Sequence, residues 1–167
     1  RDGQLRTLIM NEIGVDPAED SSPRFLGETL RGDLASLSPG DVLVADRGFC
    51  SFAHLAVLLQ AHLHAVFRIN ACQIVDFHPH RPCASEILGK GIPTSRWLRR
   101  LGKWDQLVEW RKPEQPPDWL SAEEYAKLPE WMPVREIKCR IRRPGCRVCK
   151  VKLVTTLLDP VLYPAAQ

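Results

Sequence analysis

GDVLVADRGFCSFAHLAVLLQAHLHAVFRIN, Gly40 to Asn70, holds two short apolar runs with a helical pattern between them. Val42-Leu43-Val44-Ala45 reads as a buried strand. Asp46 follows at its end, then Arg47, Gly48 and Phe49. Ser51 is placed to cap a helix running to about His62, with Phe52, Leu55, Ala56 and Leu59 on one face. Ala65 to Asn70 is the second strand. Strand, helix and strand within so short a stretch form a βαβ unit, which predicts two parallel, adjacent strands in a covered sheet.

That topology gives Asp46 its interest. Ligands of open α/β sheets bind just beyond the carboxyl ends of the strands, and a carboxylate there is costly to desolvate unless it is paired or metal-bound. Asp46 is either a turn cap or partner of Arg47, or a ligand for a hard cation such as Mg²⁺. One carboxylate alone does not bind such an ion strongly, so the second role needs a further acid. Gly48 supports a tight turn in either case.

Composition bounds the rest. The 167 residues are 44% hydrophobic and 26% charged, an ordinary globular balance rather than a disordered one. No apolar run approaches the roughly 20 residues of a membrane-spanning helix, and no basic-then-apolar leader marks secretion. The six cysteines lack the dense spacing of a disulfide scaffold, so a reducing cytosol is the expected compartment. Net charge is +3, unevenly spread: Arg135 to Lys152 carries eight Lys/Arg against one Glu, a local +7 that leaves −4 for the remainder. Arg96 to Lys112 adds six bases against two acids. Such clusters are either a solvated face or a surface for a polyanion.

Residues 1–24 are weakly patterned; "LRTLIM" fits a short strand or a helix, and "VDPAEDSSP" fits a linker. Phe25 to Leu37 keeps helical spacing, closed by "SPGD". After Asn70 prolines become frequent and strands short and antiparallel, "DQLVEW" among them. Ser121 and Glu124 form a capping box for a helix of about two turns over "SAEEYAKL". At the end, Ile137, Cys139 and Ile141 alternate with Lys138, Arg140 and Arg142, and Cys149, Val151 and Leu153 alternate with Lys150 and Lys152. Pro144 and Gly145 suit a type II turn between them. The result is a hairpin with one apolar and one cationic face, and Lys138, Arg140, Arg142, Lys150 and Lys152 are its candidate DNA-binding residues.

Three blocks carry a resemblance. "GDVLVADRGFCSFAHLAVLL…HAVFRIN", "LVEWRKPEQPPDWLSAEEYAKLP" and "VKLVTTLLDPVLYPA" stand in the order seen in bacterial insertion-sequence transposases of the DDE class, insertion-sequence-four family, and the chain resembles that family over roughly Phe25 to Ala166. The resemblance implies an α/β ribonuclease-H-like core fragment with a β-rich insertion subdomain. Its segments are a poorly defined 1–24, a core part over 25–70, an insertion over 71–152 and a return to the core over 153–167. It implies DNA cleavage and strand transfer with Mg²⁺ or Mn²⁺, two ions about 4 Å apart. Asp46 matches the family's second catalytic, metal-binding acid. Transposon ends and target DNA are the implied partners, with a homodimer, no membrane and a cytoplasmic, nucleoid-associated location. Arg47 and Arg68 are candidate phosphate contacts, Arg68 equally a partner for an internal acid.

The family also requires an earlier strand-end Asp and a later helical Glu in a Tyr–Arg–Glu signature. Asp2, Asp16, Asp20, Asp33 and Asp41 end no convincing strand, and Glu123 and Glu124 read as surface residues of the insertion. The chain therefore reads as a transposase fragment, inactive alone, with one of three metal ligands. The rival class is a non-catalytic nucleic-acid-binding module, with a structural zinc on Cys146, Cys149, His78, His80 and Cys83 as one form; packing is the plainer reading of Cys149. A phosphoryl-transfer enzyme with Asp46 as nucleophile lacks a glycine-rich phosphate loop. The five tryptophans suit packing or stacking on splayed bases, and His54, His62 and His64 suit packing or the surface.

Overall fold

The computed structural model describes residues 7–10 (backbone only), 37–69, 73, 75–78, 93–141, 145 and 148–165. Seven strands are defined: β1 (Thr7–Met10), β2 (Val42–Ala45), β3 (His64–Arg68), β4 (Thr94–Gly102), β5 (Asp105–Arg111), β6 (Trp131–Ile141) and β7 (Cys149–Thr155). Among the described residues the other elements are two α-helices, α1 (Phe52–Gln60) and α2 (Ala122–Ala126), and a 3₁₀ turn at Arg47–Phe49. The strands form one sheet in the order β1-β2-β3-β7-β6-β5-β4. β1, β2 and β3 are mutually parallel, and every other pairing is antiparallel. The class is mixed α/β.

The βαβ unit forms as its sequence predicts. β2 and β3 pair in register from Val42↔His64 to Ala45↔Phe67. Ser51 caps α1, its Oγ accepting from the His54 backbone N–H at 3.2 Å. Gly40, at φ 92°, lets its N–H reach the His62 carbonyl at 2.8 Å, and the His64 N–H reaches the Asp41 carbonyl at 2.8 Å, so both strands start level. Gly48 lies within the 3₁₀ turn and not at positive φ, so the glycine demanded by the backbone here is Gly40. Of "LRTLIM", the described Thr7–Met10 form a strand, β1, parallel to β2. The Phe25–Leu37 helix falls outside the described residues except for Leu37, which packs against the core.

The return of the chain to β3 has a specific fastening. β7 pairs antiparallel with β3 at Val66↔Thr155, Phe67↔Val154 and Arg68↔Leu153. Two threonines then clasp one residue: Thr155 Oγ1 donates to the Ala65 carbonyl at 2.7 Å, and Thr156 Oγ1 accepts from the Ala65 N–H at 2.9 Å. Asp159 Oδ1 accepts from the Val161 and Leu162 N–H groups, turning the chain after the strand. The boundary read at 152/153 thus falls inside one strand, and β4 to β7 continue the sheet that β1 to β3 begin.

Register assigns each side chain to a face. Leu43, Ala45, Ala65, Phe67, Val154, Val134, Val108, Trp110 and Met132 lie on the face covered by α1, Trp119, Leu120, Tyr125 and Leu128, and this layer is the core. Val42, Val44, Val66, Leu153, Ile137, Leu107 and Trp131 lie on the other face, where most are half-buried. Pro133 sits within β6, yet even-numbered β6 residues present their N–H groups to β5, as the Lys138 N–H to the Trp104 carbonyl at 2.9 Å shows. Its missing donor therefore faces the β7 side, where pairing stops at Arg135↔Thr155.

Candidate functional site

Asp46 stands one residue beyond β2, a strand flanked on both sides by parallel neighbours. Its carbonyl receives the Phe49 N–H at 3.1 Å, closing the 3₁₀ turn, while its side chain makes no cap bond. The partner of the carboxylate is Arg68 on β3, with Nη1 2.9 Å from Oδ1. Oδ1 itself is shielded from solvent and lacks a well-angled hydrogen bond, so the contact is ionic attraction rather than an aligned donor. The aspartate side chain remains a quarter exposed and the arginine half exposed. Arg47 is exposed. The sequence reading of Asp46 as Arg47's partner is therefore corrected: register places Arg68 directly across from Asp46, one step past Ala45↔Phe67.

Among the described residues no group of three His, Cys, Asp or Glu side chains converges. A single carboxylate already facing a guanidinium does not make a centre for Mg²⁺, which needs near-octahedral oxygen donors. The described residues do not by themselves fit that ion. Of the candidate zinc ligands, Cys146, His80 and Cys83 lie outside the described residues. His78 is bonded to Asp76, and Cys149 is exposed rather than packed, which corrects the packing reading.

The hairpin forms with the predicted alternation and an unexpected orientation. Lys138↔Lys152 and Arg140↔Lys150 are cross-strand pairs on one face; Cys139↔Val151 and Ile141↔Cys149 pair on the other. Arg142 and Pro144 lie outside the described residues. The cationic face is continuous with the core face, because Glu136, Lys138 and Arg140 share one side of β6. Neither face of the hairpin is closed: Arg140, Lys150 and Lys152 are exposed on the cationic side, and on the apolar side Ile141 is 45% exposed while Ile137, Cys139 and Val151 are half-buried. Asp46 and Arg68 share that apolar side, since Arg68 pairs with Leu153. The basic residues and the strand-end acid therefore occupy opposite faces of one sheet.

Two buried polar clusters lie between β5 and β6, one on each face. Arg135, 1% exposed, grips Asp105 with Nε–Oδ1 at 2.8 Å and Nη2–Oδ2 at 2.6 Å, and Nη1 donates to the Tyr163 carbonyl at 2.7 Å. On the other face buried Glu136 accepts from Gln106 Nε2 at 2.8 Å and Trp110 Nε1 at 3.0 Å. Burial holds its carboxyl above the usual range; the two donors and Lys152 oppose that shift. Neither cluster was legible, because adjacent charged residues read as solvated. His54 is buried and stacked on Trp119 at 4.6 Å, with Nδ1 2.9 Å from Ser51 Oγ. Burial lowers its pKa to about 4, the Phe49 carbonyl opposing, so it packs as neutral imidazole.

Trp110 and Trp119 pack in the core, and Trp131 lies under Arg96 at 4.5 Å. Trp104, at the β4–β5 turn, is 37% exposed, with Lys138 Nζ 4.3 Å and Lys103 Nζ 5.8 Å from its ring centre. Glu123 and Glu124 are exposed, Glu124 completing the predicted capping box. No helix among the described residues is long and apolar enough to cross a membrane. No protein-family model matches the chain, and no curated protein matches it.

Proposed function

We propose that the chain is part of the catalytic domain of a DDE-class DNA transposase with a ribonuclease-H-like core, in which Asp46 is one acid of the catalytic set and the β6–β7 hairpin contacts DNA. The observation that carries this reading is the place of Asp46, a partly exposed carboxylate at the carboxyl end of a parallel strand, fixed in a 3₁₀ turn and facing an arginine from the neighbouring strand. A strand end holds a reacting group rigidly, and Arg68 stands where a phosphate oxygen could replace Asp46 as its partner. The two cross-strand pairs of like charge, Lys138↔Lys152 and Arg140↔Lys150, would repel unless a polyanion lay over them. Mg²⁺ or Mn²⁺ would require further acids beside Asp46.

The test is strand cleavage by the complete enzyme with and without Asp46→Ala. The expected outcome is lost cleavage with DNA affinity within about twofold of the parent; retained cleavage would remove Asp46 from the reaction. A second reading, a nucleic-acid-binding module without catalysis, is favoured by the separation of the basic ribbon and Asp46 onto opposite faces. Metal-independent, salt-sensitive DNA binding with no cleavage by the complete protein would establish it.

A further inference from the structure

β6 and β7 run past the strands that flank them. β5 stops at Asp105, opposite Ile137, and β3 stops at Arg68, opposite Leu153, whereas β6 continues to Ile141 and β7 begins at Cys149. This overhang carries two of the three described cysteines, both free. Register puts them on one face, because Cys139 pairs with Val151 and Ile141 with Cys149. Cys139 and Cys149 are therefore diagonal neighbours, one register step apart, with Cα atoms about 7–8 Å from each other.

That spacing decides the chemistry. A disulfide spans Cα atoms about 4.4–6.8 Å apart, and beyond about 7 Å it forms only if the backbone moves. Two sulfurs that share one ion stand further apart, since two metal–sulfur bonds of about 2.3 Å replace one sulfur–sulfur bond of about 2.05 Å. The diagonal suits a bridging cation. The donor count then narrows the ion: among the described residues no third His, Cys, Asp or Glu converges on the pair, and a closed zinc site takes four ligands. Monovalent d¹⁰ copper is satisfied by two thiolates, and soft sulfur selects it over harder ions. Ile137, Ile141 and Val151 flank the pair on the same face, and Asp105, the carboxylate opposite Ile137, is taken by Arg135. Two thiolates on Cu(I) leave one net negative charge, and Lys138, Arg140, Lys150 and Lys152 stand on the other face of the same two strands to offset it.

We propose that Cys139 and Cys149 form a two-thiolate site for a soft monovalent cation, Cu(I), which ties β6 to β7 at the overhang. The site goes beyond the DNA reading and does not depend on it. On binding, two S–H bonds are lost, their protons pass to solvent and two Cu–S bonds form; copper stays Cu(I), so no oxidant is consumed. The test is anaerobic competition for Cu(I) between the intact chain and the coloured chelator bicinchoninate in thiol-free buffer, repeated with Cys139→Ser, Cys149→Ser and Cys146→Ser. Loss of a partner one shell out from a metal costs about 10- to 100-fold, so loss of either direct ligand should weaken Cu(I) binding by more than about 100-fold. Cys146→Ser, which breaks the C-x-x-C spacing with Cys149, should stay within about twofold of the parent. Cu(I) should also raise the urea midpoint of the parent and leave those of Cys139→Ser and Cys149→Ser unmoved; matching metal-free midpoints keep misfolding out of the comparison. Retained affinity in Cys139→Ser, or an equal loss in Cys146→Ser, would overturn the cross-strand pair. A parent that takes no Cu(I) from the chelator would overturn the site altogether.

Discussion

Two arginine–aspartate pairs hold the sheet at opposite ends of its order, and they differ in every physical respect. Arg135–Asp105 joins β6 to β5 through two aligned bonds, and a third donor anchors the turn after β7. Arg68–Asp46 joins β3 to the end of β2 through one ionic contact, half in solvent. The first pair is locked because its members would otherwise be buried unpaired charges. The second is exchangeable: water, a cation or a phosphate can replace either partner at little cost. Redundancy of contact marks Arg135–Asp105 as structural, and the single exchangeable contact of Arg68–Asp46 is what the proposed site requires.

The largest expected effect probes the locked pair. Arg135→Met leaves Asp105 buried without its partner and should destabilise the fold by about 3–5 kcal/mol, read from urea unfolding; a loss below about 1 kcal/mol would make the two pairs equivalent.

The pH dependence of stability comes next. His54 has a folded pKa of about 4 against an ordinary histidine value of 6.5. Its folded value is the lower, so the unfolded chain takes up the proton first as pH falls. The contribution is complete above about pH 6.5 and is lost toward pH 4, about 3 kcal/mol in all. Glu136, whose folded pKa is raised, acts with the opposite sign but is common to parent and variant, so it cancels in their difference. His54→Phe keeps an aromatic ring on Trp119 and should flatten that acid limb, checked by urea midpoints at pH 4.5, 5.5 and 7. An unchanged slope would mean that His54 is not buried as described.

The smallest effect belongs to the exchangeable pair. Arg68→Met should cost no more than about 1 kcal/mol; a larger loss in the same urea series would make Arg68–Asp46 structural after all.

Legibility followed the range of the interactions. Val42 to Ala45, the Ser51 cap, α1 and β3 were readable because period and cap act within a few residues. The hairpin alternation from Ile137 to Leu153 was readable for the same reason, as was the Ser121/Glu124 box. β4 and the first half of β6 were not: TSRWLRRLG reads as a solvated run, and Met132-Pro133 breaks a strand pattern. Both persist because pairing with β5 supplies what local propensity does not. The orientation of the hairpin was also hidden. Alternation says which residues share a face, and only register against β3 and β5 says which face meets the core. The apolar side, read as the packing side, is half open, and the cationic side continues the core layer. For the site, Asp46 was legible from its strand-end position, whereas its pairing with Arg68 needed the parallel register.

The most direct measurement is the affinity of the intact chain for duplex DNA across a salt series, compared for three proteins: the parent, Asp46→Ala, and a variant with Lys138, Arg140, Lys150 and Lys152 all changed to Gln. Phosphate contacts on the hairpin predict that the fourfold variant loses affinity and that its slope of log affinity against log salt falls by about 3–4, while Asp46→Ala leaves the slope unchanged. An unaltered slope in the fourfold variant, or a slope that falls with Asp46→Ala, would contradict the assignment of DNA to the basic face.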